Sequence, residues 1–428
     1  MTAPTAAGPA AGRGGVRSRI PELLRDRPFR GYWSGQTVSL FGDQVSMVAL
    51  PLVAVLMLHA GAAEMGRLTA AGLLPSLLFS LHAGVWADRR GHRRRMMIAA
   101  DLGRFLLVGS IPVVYAVGGL GLAQLYAVAF AAGTLSVLFE VGNAAVFVSL
   151  VPTERFVQGN SLVNGSRAMS YVGGTSLGGL LVQLLSAPYA LVADACSYLV
   201  SAAFLARIAP VEPPVAERGR GDLWAGFRLI ARSPLLRPNC AAVVTLNFFN
   251  FAFQAVFVLY ATTALGISPG LLGLVLGAGA VGSVIGSVVT GRIVRRIGIG
   301  PAVVLGFAAF PAPLLLVPLA SGPRSAALVL LFLAEFGSGF GVMVLDIASG
   351  SMNAAVIPHE LRSRVAGATR LFNYGIRPLG ALAGGWLGSV LGLRDALWIA
   401  TAGAVLGVLW VLPSPVRRVR TLDGLAGG

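Results

Sequence analysis

What most constrains this chain is the recurrence, along nearly its whole length, of continuous apolar runs. Each is long enough to cross ~30 Å of hydrocarbon, which takes about 20 residues at ~1.5 Å per residue of helix. In hydrocarbon every backbone N–H and C=O must be satisfied within the protein, so only α-helices and closed β-barrels span a bilayer. A barrel would show alternating polarity in segments of ~10 residues. These runs are instead continuously rich in Ala, Leu, Val and Gly, and only 12% of the chain is charged, against about 25% in soluble domains. The expected fold class is an all-α membrane protein.

Breaks at Gly, Pro and charge clusters place spans at 30–58, 64–87, 96–118, 122–150, 160–185 and 188–209, then at 239–264, 270–291, 300–320, 326–356, 364–391 and 395–413. The connecting loops alternate in arginine content. Stretches 88–95, 151–159, 210–238, 292–299 and 357–363 are Arg-rich, as are both ends of the chain, whereas 59–63, 119–121, 186–187, 265–269, 321–325 and 392–394 are Arg-poor. By the positive-inside rule both termini and the 210–238 linker are cytoplasmic, which requires an even number of spans, and twelve satisfies it. The expected organisation is a disordered cytoplasmic tail (1–28), a six-helix half (29–209), the linker (210–238), a second six-helix half (239–413) and a short cytoplasmic tail (414–428). The first 28 residues are rich in Gly, Ala, Pro and Arg without an apolar signal core, so they read as that tail.

All 33 basic side chains are arginine. Without lysine the chain can hold neither a phosphate-binding Walker loop nor an imine-linked cofactor, so an ion gradient or a separate subunit must supply any energy. The net charge of +16 does not indicate nucleic-acid binding, because the arginines mark the loops of one membrane side. Cys196 and Cys240 read as buried apolar fillers, and the four histidines, His59, His82, His92 and His359, are scattered, so neither a metal site nor a cofactor is expected. GTSLG at 174–178 and GAGAVG at 277–282 match a nucleophile elbow and a dinucleotide loop in letters only. Both lack the strand-turn-helix setting and read as small-residue packing faces.

The two halves match each other at a shift of 206 to 207 residues. At 207, Gly84 meets Gly291, Arg89 meets Arg296 and Gly91 meets Gly298; at 206, Pro152 meets Pro358, Glu154 meets Glu360, Gly174 meets Gly380, and Gly178 and Gly179 meet Gly384 and Gly385. Two pseudo-symmetric six-helix halves are the expected arrangement.

GVWADRRGHRRRM (84–96), in the loop between spans 2 and 3, matches the G-x-x-x-D-R-x-G-x-R-R signature of the major facilitator superfamily, which the chain resembles over roughly 25–415. The segments at 28–53, 151–162, 193–205 and 226–238 resemble the branch of that superfamily containing enterobactin exporters and macrolide efflux proteins. The second signature copy, GRIVRRIG at 291–298, has Arg295 where the first has Asp88. The resemblance implies that Asp88 helps to latch the cytoplasmic side, with Gly84 and Gly91 permitting the turn and Arg89 beside the acid; the alternative for the arginines of this loop is that they fix topology and touch anionic lipid.

Charges inside spans are the strongest functional candidates, since one at the bilayer centre costs at least ~2.5 to 3.5 kcal/mol on insertion scales. In the resembled fold spans 1, 4, 7 and 10 line a central cavity with 2, 5, 8 and 11 beside them, which singles out Asp43, Glu140, Asp346, Arg167, Arg370 and Arg377. Glu140 and Asp346 are repeat partners, and Arg167 and Arg370 lie in the swapped patterns Asn164 to Arg167 and Arg370 to Asn373. At ~1.5 Å per residue the two acids lie about 15 Å and the arginines about 10 Å from the cytoplasmic ends of their spans. Each half can therefore form an ion pair, as a gate or as a static buried pair. Asp43 faces Asn250 at the 207 shift, so only the first half has an acid at that depth. It is the leading proton or cationic-substrate site, against a packing role. Asp101 and Arg104 read as a local ion pair, Asp194 as structural, and Glu335 as serving substrate entry or packing. TLNFFNFAFQAVF (245–257) offers stacking surface or packing.

The expected function is secondary active export, by alternating access, of a small organic molecule such as a drug, antibiotic or siderophore-like metabolite. Proton entry supplies the coupling, and the protein works as a monomer in the cytoplasmic membrane. The competing readings are an ion-coupled nutrient importer and, behind it, a membrane enzyme or a non-transporting scaffold. An enzyme should show convergent nucleophile, base or metal groups, and the sequence has none.

Overall fold

The computed structural model describes residues 21–90, 92–209 and 224–421, with side chains except those of 81–90 and 363. The side chains of Gly84, Asp88 and Arg89, and all of Gly91, lie outside the described residues, as do 1–20 of the N-terminal tail and 210–223 of the linker. The long helices are α1 (Arg27–Leu52), α2 (Ala62–Arg90), α3 (Arg93–Ala116), α4 (Leu122–Leu150), α5 (Phe156–Leu185) and α6 (Ala187–Ala206). A short helix, α7 (Trp224–Arg232), precedes α8 (Leu236–Leu259), α9 (Pro269–Ile297), α10 (Ile299–Ala309), α11 (Leu316–Leu319), α12 (Arg324–Val356), α13 (Arg362–Val390), α14 (Leu393–Leu406) and α15 (Val408–Val411). Among the described residues, 10 helices, some continued through short turns, are long and apolar enough to cross a membrane. With α2 and α13, 29 residues each, they make the twelve expected. The ninth span is broken: Pro311 and Pro313 interrupt it between α10 and α11, whereas its repeat partner α3 stays continuous.

The repeat extends to the backbone. α1 ends in a π-turn at Val53–Met57 and α8 in one at Tyr260–Ala264, offset by the same 207 residues. The positive-φ turn residues His59, His92 and Ser186 of the first half correspond to Gly266, Gly298 and Gly392 of the second. Glycine adopts such conformations without a Cβ penalty, and Ser186, at φ 78° and ψ 160°, occupies a region that is essentially glycine's own. Its hydroxyl is also buried without a hydrogen-bond partner. Ser186→Gly is therefore expected to stabilise the detergent-solubilised protein by about 1 kcal/mol, read as a higher midpoint of thermal unfolding. An unchanged or lower midpoint would contradict this account of the turn.

Helix pairing is two-fold as well: α1 packs on α5 and α6 as α8 packs on α13 and α14, and α4 packs on α2 and α3 as α12 packs on α9 and α10. Glycines set the close approaches. The two sequence decoys lie in these faces: a Cβ on Gly174 would stand 2.7 Å from Gln44 Cβ, and one on Gly282 would stand 2.0 Å from the Phe336 carbonyl oxygen. The halves meet through α5 with α9 and α2 with α13. Two repeat-related glycine pairs mark those seams near the Arg-poor end, where a Cβ on Gly66 would lie 2.8 Å from Gly385 Cα and one on Gly179 would lie 2.8 Å from Gly273 Cα.

The apolar core has the same polarity along the helix axes. At the Arg-poor end one cluster spans both halves, with Leu52, Ile111, Leu191, Phe253, Leu272 and Leu331 among its members. Toward the Arg-rich end the core divides into one cluster around Phe29, Met97 and Phe139 and another around Ala242, Phe307 and Met352. The halves are joined at the Arg-poor end and part at the Arg-rich end. Cys196 corrects an expectation: it sits on the exposed side of α6 instead of being buried, while Cys240 is half-buried.

Candidate functional site

The gap between the halves holds a cavity of about 1200 Å³. It runs along α12 from Glu335 past Asp346 to Asn353 and is closed on the other flanks by α1, α2, α5, α8, α9 and α13. Asn250, Asp346 and Arg377 line it, as do Phe251, Phe253 and Phe257 of the aromatic run on α8. Phe253 and Phe257 stack with centroids 5.0 Å apart. Phe249 instead packs against Gly403 of α14, so the run divides between lining and packing.

Beside the cavity, within the first half, the structure gathers ionisable groups that the sequence reading kept apart. Gly42 lets α6 press onto α1, since a Cβ there would stand 2.1 Å from Ser197 Oγ and 2.5 Å from Asp194 Oδ1. That approach sets Tyr198 and Asp194 on either side of the Asp43 turn. The Tyr198 hydroxyl donates to Asp43 Oδ1 at 2.7 Å. Ser46, which also lines the cavity, donates to Asp194 Oδ2, and Ser197 donates to Asp194 Oδ1 at 3.3 Å. From α3, Arg104 donates to Asp101 and stands 4.0 Å from Asp43. Its guanidinium is held between the rings of Phe139, at 4.5 Å, and Tyr198, at 4.3 Å. Asp101, Asp194 and Arg104 are buried, whereas the Asp43 side chain is 38% exposed. Three carboxyls thus cluster near one guanidinium, which pairs with Asp101 and Asp43, and Asp43 is the accessible member.

The expected Asp101–Arg104 pair is present, but it belongs to this cluster and is not an isolated local bridge. Asp194, read as structural, is a member, and Tyr198 was missed altogether. A signal for them lies in the repeat: at the 207 shift Asp43, Asp101, Arg104, Asp194 and Tyr198 correspond to Asn250, Ala308, Pro311, Thr401 and Val405. None of these can ionise at physiological pH. Groups required only by a duplicated fold recur in both copies; these do not.

The intra-half ion pairs expected for Glu140 with Arg167 and for Asp346 with Arg370 are not formed among the described residues. Glu140, Arg167 and Arg370 are exposed where the halves part. Arg167 and, from the opposite half, Arg370 lie within electrostatic reach of Glu140. Asp346 forms no ion pair among the described residues; Arg377, within electrostatic reach of it, donates to Asn373 at 3.3 Å and lies 5.1 Å from the Phe251 ring and 4.8 Å from Tyr374. The helices that carry each expected pair do not pack on one another: α4 packs on α2 and α3 whereas α5 packs on α1, α6 and α9, and α12 packs on α9 and α10 whereas α13 packs on α2 and α8. Among the described residues no three His, Cys, Asp or Glu are grouped to hold a metal ion.

The model of the Major Facilitator Superfamily matches residues 32–377 and again 240–427. Among curated proteins the chain is similar to an uncharacterized MFS-type transporter, YfiS, of Bacillus subtilis (strain 168), 26% identical over 379 residues, 86% of this chain and 88% of the relative. It is likewise similar to the multidrug efflux pump Tap of Mycolicibacterium fortuitum, 26% identical over 408 residues, 89% of this chain and 94% of the relative. Two solved structures share the fold. The nucleoside transporter NupG superposes with a TM-score of 0.71 at 11% identity, covering 92% of this chain and 99% of that one. A bacterial homologue of the iron transporter ferroportin in its inward-facing state gives 0.72 at 18% identity, covering 92% and 99%. With twelve membrane-length helices among the described residues, in two repeat-related halves around a central cavity, and a family match over most of its length, the chain belongs to the Major Facilitator Superfamily and is a multi-pass membrane transporter.

Proposed function

We propose that the protein is a proton-coupled exporter of small organic molecules, working by alternating access with the Arg-rich end in the cytoplasm. The observation that carries the reading is the one-sided cluster around Asp43: three carboxyls and one guanidinium in a single half, bordering the cavity through Ser46 and reachable through Asp43. A group that binds and releases a proton must be sheltered enough to be sensitive to its surroundings and open enough to exchange. Asp43 has both properties, and Tyr198 and Arg104 join it to the buried acids. The similarity to a multidrug efflux pump favours export over import. Glu140, Arg167 and Arg370 would come together as the Arg-rich side closes, and Asp88 would latch that closed state.

The test compares the metabolite content of cells with and without the protein. One or more compounds should be retained inside cells that lack it, released by cells that make it, and retained again when an uncoupler collapses the proton gradient. Accumulation inside producing cells, rising with external acidity, would establish import instead. Orientation has its own check: reporters fused to either terminus or inserted within 210–223 are expected to report cytoplasm, and a periplasmic C-terminus would overturn the sidedness.

A further inference from the structure

Glu335 stands apart from every other charge in the cavity. Asp346 has Arg377 within electrostatic reach, without an ion pair between them among the described residues, and Arg377 is held by Asn373, Phe251 and Tyr374. Glu335, which also lines the cavity, makes no hydrogen bond or ion pair among the described residues. It lies on α12 some 16 Å from Asp346 at ~1.5 Å per residue, toward the Arg-poor, closed end of the cavity. The flank beside it is kept low by a glycine: a Cβ on Gly279 would stand 3.2 Å from Glu335 Oε2. Tyr171 of α5 is within electrostatic reach, and Phe253 and Phe257 line the cavity from α8.

The repeat shows that the fold does not need this acid. At the 206 shift that pairs Glu140 with Asp346 on the same two helices its counterpart is Ala129, a member of the apolar core shared by the two halves. An ionisable group in a membrane interior is retained at a cost, and one without a protein partner suits a partner that comes and goes. Two carboxyls, Asp346 and Glu335, line the cavity against one guanidinium, Arg377, and Glu335 places the excess negative charge at the closed end, bordered by aromatic and apolar surface. An anion there would meet an unscreened carboxylate and a neutral molecule would leave it unpaired, whereas a cation satisfies it and gains from the faces of the rings.

We propose that the cavity selects organic cations bearing aromatic or extended apolar surface, and that Glu335 is the residue that recognises their positive charge. This deepens the exporter reading and rests on it for the direction of movement, but binding itself depends on neither direction nor coupling.

The test measures binding of tetraphenylphosphonium and of neutral triphenylphosphine oxide to the purified full-length protein at one pH. Wild type should bind the cation at least about tenfold more tightly than the neutral compound. Glu335→Gln should lose that preference while keeping its affinity for the neutral compound, and Glu335→Asp should retain most of it. A readout on the unmutated protein guards against a variant that fails to fold: the cation, and not the neutral compound, should protect Glu335 from labelling by dicyclohexylcarbodiimide, followed by peptide mass spectrometry. The proposal is overturned if wild type binds the cation no better than the neutral compound or not at all, if Glu335→Gln binds the cation normally, or if the cation leaves Glu335 labelling unchanged. Glu335-dependent binding without proton-driven release would leave this inference standing and remove the exporter reading. Proton-driven release of compounds without Glu335-dependent cation binding would do the reverse.

Discussion

Asp43→Asn is expected to bring proton-driven efflux close to background while the purified variant still binds substrate and still exchanges it across the membrane without a gradient. The reason is geometric. Asparagine has nearly the shape of aspartate, and its Oδ1 can accept the Tyr198 hydrogen bond that now spans 2.7 Å, so the contact between α1 and α6 survives. What disappears is the group that takes up and gives back a proton as its surroundings alternate. Arg104 stays held by Asp101 and by the rings of Phe139 and Tyr198, which keeps the cluster assembled. If Asp43 serves only to pack helix α1, then expression, binding and transport should fall together. Measuring binding and gradient-driven efflux on the same preparation separates the two, and wild-type efflux by Asp43→Asn would move the coupling role to another acid, Glu140 or Asp346 first.

A comparable loss is expected from bulk at the glycine seams, by a different route. In Gly179→Leu the new Cβ would stand 2.5 Å from the Pro269 carbonyl oxygen and 2.8 Å from Gly273 Cα, both of which are backbone and cannot rotate away. Gly66→Leu repeats the clash at the other seam, 2.8 Å from the Ala381 carbonyl oxygen and from Gly385 Cα. Overpacking of this kind costs about 1 to 3 kcal/mol in the conformation that contains it. It costs little in one that separates the Arg-poor ends. The population should therefore shift by roughly one to two powers of ten toward a state open on the Arg-poor side, since ~1.4 kcal/mol is tenfold. With Cys196 and Cys240 replaced by Ala and a reporter Asn250→Cys in the cavity, a membrane-impermeant thiol reagent should label each Leu variant faster from the Arg-poor side and slower from the Arg-rich side, while transport falls. Unchanged labelling in a variant that reaches the membrane would show that the glycine pairs do not hold this closure.

Much of the fold was legible in the sequence, because the bilayer leaves few alternatives. An apolar run of about 20 residues can only be a helix there, arginine marks one face by its cost of crossing, and duplication shows as matched glycines and prolines. Those regularities fixed helix number, alternation and the pseudo-two-fold, and the signature at 84–96 pointed to the superfamily. The proline break between α10 and α11 was not anticipated, although Pro311 and Pro313 are visible in the sequence, because proline is tolerated in membrane helices when neighbours satisfy the freed carbonyls.

The site was legible only in part, and the reason is distance along the chain. Asp43 could be singled out because its depth in span 1 and its non-ionising repeat partner Asn250 are one-dimensional facts. Its neighbours could not be, since Tyr198 lies 155 residues away and reaches it only because Gly42 and α6 pack as they do. The pairing of Glu140 and Asp346 with Arg167 and Arg370 followed from depths of about 15 Å and about 10 Å along the helix axes, which puts groups near one level but says nothing of lateral separation. Tertiary structure decided that separation. Within each half α4 and α5, and α12 and α13, pack on other helices and not on one another, so the expected pairs stand open, and among the described residues Glu335 is left in the cavity without a hydrogen bond or ion pair. Hydrophobic periodicity and the cost of charge in lipid act locally and can be read from residue types; which charges meet depends on how helices hundreds of residues apart are pressed together or held apart.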